Sequence, residues 1–221
     1  MIDVVCILFQ PEGKGLPQFS TGYSAKWVDK LARGIQRNTS HTYYQFICLV
    51  DQFYEFEEDI DQVQIEGCES GYGNVMETFR PDLGENQRFV FGLDTIIQED
   101  LDEILSWRGR VGLLTDPNYP ETICNGVGSY SPEFCEWIWE EWQRKEDYED
   151  RILYNGRISE MQFLRLLAND ATRLNEVFPD QIQSYKCHWL KEPEKREEAS
   201  IVYFHGNPKP PDVHADLLRH W

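Results

Sequence analysis

Short apolar runs alternate along the chain with segments in which apolar residues recur every three or four positions. The first pattern predicts buried strands, and the second predicts helices that bury one face. Strands are predicted over residues 2–9, 44–50, 62–65, 88–93, 111–114, 182–189 and 201–204. Helices are predicted over residues 23–37, 75–79, 100–105 and 159–168, and over a longer segment that begins at 131 and ends in the charged run 144–151. This alternation predicts an α/β fold in one domain spanning residues 1–221, with a mixed sheet flanked by helices.

Two of the helices carry recognisable start signals. Ser131-Pro132-Glu133 matches a capping serine followed by proline at the first helical position. Asp100 matches an acidic cap for the helical turn that ends at Leu105. Residues 191–198, between the last two predicted strands, are almost all charged, which predicts a solvated loop.

The charge balance limits the kinds of partner. The chain has 221 residues, of which 41% are hydrophobic, so it can build a sizeable core. It carries 39 acidic and 21 basic residues, a formal net charge of −18. This excess argues against a nucleic-acid partner, because binding a polynucleotide backbone requires a basic surface. A small nucleotide remains compatible, since one metal ion and a few cations can outweigh the overall field.

The chain has no apparent membrane or secretory segment. No run approaches the roughly 20 apolar residues of a membrane span, and the first residues lack the basic region of a signal peptide. Six cysteines lie far apart without a CxxC pair. We therefore expect a cytoplasmic protein with free, mostly buried thiols.

The first candidate for chemistry is Asp94, which follows the predicted strand 88–93. A carboxylate just beyond the carboxyl end of a strand lies where open α/β sheets bind ligands. Such a group can hold Mg²⁺ or Mn²⁺ against a diphosphate. An aspartate at this position is also a common turn former or helix cap, and spacing alone does not decide between the two readings.

The second candidate is the turn after the last predicted strand. His205 opens a turn rich in glycine and proline, and Lys209 follows four residues later. Imidazole suits a transition metal such as Mn²⁺, and an ammonium group beside it can pair with a phosphate oxygen. A satisfied strand-end histidine and a surface lysine explain the same residues.

A third, weaker candidate is the segment Cys124-Asn125-Gly126-Val127-Gly128-Ser129. Its glycines predict a turn, either one that lets the backbone approach a ligand or an ordinary Asn-Gly hairpin turn. The signatures GxSxG, HExxH and a strand-to-helix GxGxxG are absent from the sequence.

Taken in order, several stretches resemble glycosyltransferases of the GT-A fold that are related to family eight, the glycogenin and lipopolysaccharide galactosyltransferase group. The stretches are Val4 to Leu8 with the helix after it, Phe46-Ile47-Cys48-Leu49-Val50-Asp51, Glu77-Thr78-Phe79-Arg80-Pro81-Asp82-Leu83, Gly92-Leu93-Asp94-Thr95-Ile96-Ile97, Asn125-Gly126-Val127, Ser184-Tyr185-Lys186-Cys187-His188 and Phe204-His205-Gly206-Asn207-Pro208-Lys209-Pro210. They run nearly from end to end, and the last is the most specific. The resemblance implies the Rossmann-like GT-A fold and a sugar transfer from a nucleotide-diphosphate donor, such as a UDP-sugar, to an acceptor hydroxyl.

The resemblance also implies a role for individual residues on the donor side. Asp94 matches the last acidic position of the family's Asp-x-Asp motif, and His205 matches the histidine that joins Asp94 on Mn²⁺ (or Mg²⁺). Lys209, with Gly206 in the same turn, matches the segment that contacts the phosphates. The metal would act as a Lewis acid for the departing diphosphate.

Further implied roles concern the nucleoside and the acceptor. The first strand at Val5 and Asp51 would lie near the nucleoside, and Asn125 and Gly126 would line the sugar. Glu160 matches a carboxylate on the acceptor side. The acceptor would be a saccharide, a lipid-linked molecule or a protein. Arg80 and Lys186 are further cations expected near the diphosphate.

Three positions depart from the family pattern. Gly92 stands where the first aspartate of the motif belongs, Val75 replaces a basic residue, and Ser159-Glu160-Met161 stands where Gly-Asp-Gln is common. Asp100 or Asp102 could replace the lost carboxylate only if their loop folds back. These departures leave open a degenerate copy of the fold that binds a nucleotide sugar without turnover. A nucleotidyltransferase is a third reading.

Overall fold

The computed structural model describes residues 1–10, 22–67 and 72–221. Cys68, one of the six cysteines, lies outside these ranges. The strands are β1 (Ile2–Leu8), β2 (Tyr44–Val50), β3 (Asp61–Gln64), β4 (Gln87–Phe91), β5 (Ile96–Ile97), β6 (Val111–Thr115), β7 (Ile123–Tyr130), β8 (Leu153–Tyr154), β9 (Arg157–Ile158), β10 (Thr172–Arg173), β11 (Ile182–Ser184) and β12 (Ile201–Tyr203). The α-helices are α1 (Ala25–Arg37), α2 (Asp102–Leu105), α3 (Pro132–Gln143), α4 (Glu149–Ile152), α5 (Glu160–Ala168), α6 (Leu174–Val177) and α7 (Ala215–Leu218). Tighter 3₁₀ turns span Gly73–Phe79, Pro81–Leu83, Lys145–Tyr148 and Pro193–Glu198, and a π-helical turn spans Tyr185–Trp189.

The central sheet is mixed and has the strand order β10-β6-β7-β4-β1-β2-β3. β1 pairs in parallel with β2 and with β4, and β7 pairs antiparallel with β4 and with β6. A smaller sheet has the order β11-β12-β5, and β8 pairs with β9 as a hairpin. The chain passes from β1 outward through β2 and β3 and then returns to the other side of β1 at β4. This reversal is the kind of switch point at which open α/β sheets bind ligands.

The central strand is buried on both faces, which explains its almost continuous apolar sequence. Val4 packs into the core on the side of α1, and Val5 packs into the core on the side of α3. α1 buries Val28, Leu31 and Ile35, which are spaced along one face as the sequence predicted. The α/β prediction and most element positions are confirmed.

The start of α3 also matches its prediction. The Ser131 hydroxyl accepts the backbone N–H of Phe134 at 3.3 Å, and Pro132 is the first helical residue. The predicted start at Asp100 is less accurate. The helix begins at Asp102, whose backbone N–H donates to the Asp100 carboxylate at 3.0 Å.

Two predicted elements are wrong. The segment 124–129 is not a turn, because it lies inside β7, opposite an irregularity in the pairing at Leu113 and Leu114. The strand predicted over 182–189 ends at Ser184. There the Ser184 hydroxyl accepts the backbone N–H of Cys187 at 3.3 Å, and Tyr185 stacks on Trp189, so the last five residues form a π-helical turn.

None of the helices in the described ranges combines the length and the apolar character that crossing a bilayer requires. In the same ranges five cysteines are free thiols, three of them buried.

Candidate functional site

A cleft of about 330 Å³ opens at the carboxyl ends of β1 and β4. Four of its lining residues carry polar side chains suited to bind a ligand or to transfer a proton, namely Asp94, Asn125, Glu160 and Lys209. Its remaining walls are glycines and apolar or aromatic residues, namely Ile7, Tyr23, Tyr72, Val75, Val90, Phe91, Gly92, Gly126 and Phe204. A concave site with a few converging polar groups on apolar walls is typical of small-molecule binding.

Asp94 reaches the cleft through a short turn after β4. The Gly92 backbone N–H donates to the Gly126 carbonyl at 3.0 Å, and the Thr95 N–H donates to the Gly92 carbonyl at 3.0 Å. These bonds place the Asp94 side chain, which is nearly buried, at the base of the cleft. A Cβ atom at position 92 would lie 3.1 Å from Asp94 Oδ1 and 3.4 Å from the Gly126 carbonyl oxygen. A side chain at position 92 therefore requires the Asp94 carboxylate to shift by a few tenths of an ångström.

Asp94 forms an ion pair with Lys209. The Lys209 ammonium donates to Asp94 Oδ2, and the Tyr23 hydroxyl donates to the same oxygen at 3.0 Å. The side chains of Asp94 and Lys209 are only 10% and 15% exposed, so water screens this pair weakly. Burial, and after it the Asp94 charge, raise the pKa of Tyr23, which keeps its hydroxyl protonated as a donor. Asp94 and Lys209 therefore contact each other in one cleft, and their predicted roles toward a metal ion and the phosphates stay predictions.

Glu160 lies in the same cleft as the first residue of α5. The Ser159 hydroxyl caps this helix by accepting the Gln162 N–H at 3.3 Å. The residue keeps some exposed surface at the cleft wall, and burial raises the pKa of its carboxyl to about 7. The backbone N–H groups of Glu160 and Met161 and the charge of Arg165 act in the opposite direction. At neutral pH this carboxyl can therefore either accept or release a proton.

Asn125 and Gly126 line the cleft from β7 rather than from a turn. The carbonyl of Gly126 fixes Gly92, as described above. A Cβ atom at Gly126 would lie 3.1 Å from the Tyr203 ring, so glycine permits β12 to pack closely here.

His205 is not among the residues that line the cleft. Its Nε2 atom forms a 2.8 Å hydrogen bond with the Ser184 hydroxyl and lies 3.9 Å from Cys187 Sγ. Burial, with the charge of Lys186 as the next cause, lowers the pKa of His205, so the imidazole is neutral at neutral pH. Gly206 follows with a φ of 63°, a conformation that favours glycine. A Cβ atom there would lie 3.5 Å from the Lys186 ammonium, which places a second cation beside this turn.

The predicted nucleoside residues do not line the cleft in the described part of the chain. Val5 is fully buried in the core, and Ile7, two residues closer to the carboxyl end of β1, reaches the cleft in its place. The Asp51 carboxylate accepts the backbone N–H of Gln10 at 2.9 Å and the Tyr54 hydroxyl at 2.8 Å. The roles of Val5 and Asp51 in donor binding stay predictions.

Two other residues that were predicted to act at the site, Arg80 and Asp102, do not line the cleft. The Arg80 guanidinium is held by Glu66, Glu77 and Asp82, so its charge is already neutralised by three carboxylates. The Asp102 carboxylate accepts backbone N–H groups of residues 40–42, just before β2. Asp102 therefore does not replace the carboxylate missing at Gly92.

Sequence reasoning missed Tyr23 and the apolar part of the site. A cavity of about 140 Å³ adjoins the cleft, and Phe9 and Leu93 line this cavity alone. Its other lining residues are shared with the cleft, namely Ile7, Tyr23, Tyr72, Val75, Gly92 and Asp94. A larger cavity of about 640 Å³ lies between Trp27 and the turn 207–212, and it shares Tyr23 and Lys209 with the cleft. Tyr23 precedes α1 without any motif around it, so nothing in the sequence marks it.

The side-chain arrangement does not fit a divalent metal ion. Mn²⁺ and Mg²⁺ prefer several oxygen or imidazole ligands that converge on one point. Asp94 Oδ2 is engaged by Lys209 and Tyr23, and His205 is bonded to Ser184. Within residues 1–10, 22–67 and 72–221, no three His, Cys, Asp or Glu side chains are placed to hold a metal ion.

Comparison with solved structures shows that the chain has the fold of known glycosyltransferases. The chain is similar to the galactosyltransferase LgtC in complex with donor and acceptor sugar analogues, with a TM-score of 0.58 at 12% identity over 100% of this chain and 92% of that one. The prediction of a GT-A glycosyltransferase fold is confirmed.

Two larger glycosyltransferases share the fold as well. GlyE from Streptococcus pneumoniae TIGR4 matches with a TM-score of 0.64 at 12% identity, over 97% of this chain and 57% of that one. The bifunctional glycosyltransferase WbbM matches with a TM-score of 0.58 at 12% identity, over 95% of this chain and 46% of that one. This chain therefore spans about half the length of these two proteins. No family model and no curated protein matches its sequence.

Proposed function

We propose that this protein is a glycosyltransferase that moves a sugar from a nucleotide-diphosphate sugar, such as a UDP-sugar, to the hydroxyl of an acceptor. The observation that carries the proposal is the convergence of Asp94, Asn125, Glu160 and Lys209 on one cleft. Asp94 and Lys209 are 115 residues apart in the sequence, and their side chains are in contact in this cleft. The glycosyltransferase fold supports the same conclusion, although a fold alone does not define an activity.

The shape of the site suggests how a donor is arranged. The small apolar cavity beside Ile7, Phe9 and Tyr72 suits the flat face of a nucleobase. The diphosphate then lies by Lys209, because an ammonium group pairs with phosphate oxygens. The sugar extends toward Asn125 and Glu160, whose oxygen and nitrogen atoms can bind its hydroxyl groups.

Two residues of this chain carry the chemistry in this proposal. The bond between the sugar C1 and the diphosphate oxygen breaks, and its electron pair leaves with the diphosphate. Lys209 stabilises the negative charge that develops there. The acceptor oxygen bonds to C1, and Glu160 receives the proton that the acceptor hydroxyl loses, which its pKa of about 7 permits.

The metal stays a prediction. If Mn²⁺ or Mg²⁺ takes part, Asp94 and His205 are its expected ligands. An ion at Asp94 Oδ2 would displace the Lys209 ammonium, and an ion at His205 Nε2 would displace the Ser184 hydroxyl. For this reason no step above depends on a metal.

Calorimetry tests the donor class directly. The full chain is titrated with UDP-, GDP- and CMP-sugars, with and without Mn²⁺, and transfer is followed on saccharide, lipid-linked and protein acceptors. We expect binding of at least one nucleotide-diphosphate sugar and release of its nucleoside diphosphate. Binding without release on any acceptor would favour a degenerate binding module, and pyrophosphate release from a nucleoside triphosphate and a sugar phosphate would indicate a nucleotidyltransferase. If no nucleotide sugar binds in either condition, the proposal fails.

A further inference from the structure

The residues around Asp94 indicate how this chain neutralises a diphosphate. Tyr23 and Lys209 both donate to one oxygen of Asp94. The other oxygen faces Gly92, where a second carboxylate would have to sit 3.1 Å away at its Cβ. Of the two carboxylates among the described residues that line the cleft, Asp94 and Glu160, Asp94 is thus already engaged by two donors.

Two ammonium groups border the same region. Lys209 reaches Asp94 from the turn that follows β12, and Lys186 lies beside Gly206 in that turn. The positive charges of Lys186 and Lys209 both contribute to lowering the pKa of His205, after burial. Asp94 and Asp116 act on the pKa of His205 in the opposite direction, and Asp116 is paired with Arg165 at 2.6 Å. The two lysines and Arg165 therefore exceed the two aspartates by one positive charge at this turn, although the whole chain carries −18.

We infer that this chain binds the diphosphate of its donor through the ammonium groups of Lys209 and Lys186, without a divalent metal ion, and that Asp94 and Tyr23 hold Lys209 in place. This inference rests on the proposed function. Lysine is a compact charge that binds phosphate oxygens well. Asp94 is then a positioning residue for Lys209 rather than a metal ligand.

The flexibility of a lysine side chain explains why Lys209 has to be held in place. A lysine side chain has four rotatable bonds and loses much conformational freedom when it is fixed. The Asp94 carboxylate and the turn at Gly206 restrict Lys209 before a ligand arrives. A site ordered in advance avoids part of the entropy cost of binding.

Calorimetry with nucleoside diphosphates separates this inference from a metal site. The full chain is treated with excess EDTA and titrated with UDP, GDP and CDP, and the titrations are repeated with Mn²⁺. Direct Mn²⁺ binding is followed by electron paramagnetic resonance without nucleotide. We expect the dissociation constant of the best nucleotide to agree between the two conditions within about threefold, and no stoichiometric Mn²⁺ binding.

Variants of single charged residues test which side chains bind the diphosphate. Lys209→Ala is expected to weaken nucleotide binding in EDTA by about 10- to 100-fold, the range of a charged hydrogen bond, and Lys186→Ala by less. The exposed control Lys191→Ala is expected to leave it unchanged. Asp94→Asn keeps an acceptor for Tyr23 and Lys209, so we expect binding in EDTA to persist within about tenfold. Thermal melting shows whether each variant is folded.

Three results overturn the inference. If nucleotide binds with Mn²⁺ but not in EDTA, the inference fails and the proposed function stands. The same conclusion follows if the wild-type chain binds Mn²⁺ and Asp94→Asn does not. Absence of nucleotide binding in both conditions would overturn the proposed function and the inference together.

Discussion

Asp94 and Glu160 are carboxylates in the same cleft, and their surroundings differ. Asp94 lies at the end of β4 and is engaged by a lysine and a tyrosine. Glu160 begins α5, where burial raises the pKa of its carboxyl to about 7. One carboxylate is therefore suited to hold a cation and the other to exchange a proton. The same chemical group acquires two roles because the fold pairs one with a charge and desolvates the other.

The largest expected effect concerns Glu160. Glu160→Gln keeps the size of the side chain but cannot accept a proton at neutral pH. We expect turnover to fall by about 100- to 10,000-fold, the usual contribution of general acid–base catalysis, while donor binding changes little. Steady-state kinetics and donor titration measure the two effects. Glu136→Gln, on the exposed face of α3, is the matched control, and a Glu160→Gln enzyme of normal turnover would exclude this role.

The pH dependence sharpens the same comparison. Glu160 accepts a proton only when it is ionised, so turnover is expected to rise with pH through about 7 and then level off. A pH profile of kcat measures this rise in turnover. A flat profile between pH 5.5 and 8.5, a window of about 1.5 units on each side of that value, would show that the Glu160 proton is not used.

Stability should also depend on Glu160. Its folded pKa of about 7 lies above the value near 4.3 that is usual for an unfolded chain, so folding favours its protonated form. The contribution to stability is complete below the unfolded pKa and is lost as pH rises through the folded one. We expect wild type to lose about 1–2 kcal/mol relative to Glu160→Gln between pH 4 and 8, after allowance for solvent at the cleft wall. Denaturant unfolding of both proteins at several pH values measures the difference, and parallel curves would contradict it.

The smallest effect is expected at Tyr23. Tyr23→Phe removes one donor to Asp94 and keeps the ring, whose centroid lies 4.9 Å from that of Trp27. A hydrogen bond of this kind contributes about 1 kcal/mol, so we expect the donor KM to rise about three- to tenfold with little change in kcat. Steady-state kinetics of Tyr23→Phe and of the exposed control Tyr43→Phe measure the effects on KM and kcat separately. A fall in kcat with an unchanged KM would place Tyr23 in the chemistry instead.

Much of the fold could be predicted because its signals are local. The strands 2–8 and 44–50 are apolar runs, and the helices at Ala25–Arg37 and Pro132–Gln143 have a regular apolar face. The predictions of secondary structure were wrong where contacts between residues distant in the sequence decide the conformation. Segment 124–129 contains two glycines, which usually signal a turn, but pairing with β4 and β6 extends it into a strand.

The site could be predicted only in part, for the same reason. Asp94 and Lys209 stood out through the surrounding strand and turn, and the structure brings them together. That Lys209 would contact Asp94 itself, and that His205 would bond to Ser184, depends on side-chain directions that no sequence spacing specifies. Tyr23 enters the site only through folding, because it lies two residues before α1, packs against the core on the α1 side and lines the cleft.

The most direct test of the account is nucleoside diphosphate release from a panel of nucleotide sugars by the wild-type chain, by Lys209→Ala and by Glu160→Gln. The account predicts release from at least one donor by the wild type and by the control Lys191→Ala, and strongly reduced release by both site variants. Release that persists in Lys209→Ala and Glu160→Gln, or its absence with every donor and acceptor, would contradict the assignment of this cleft as a glycosyl-transfer site.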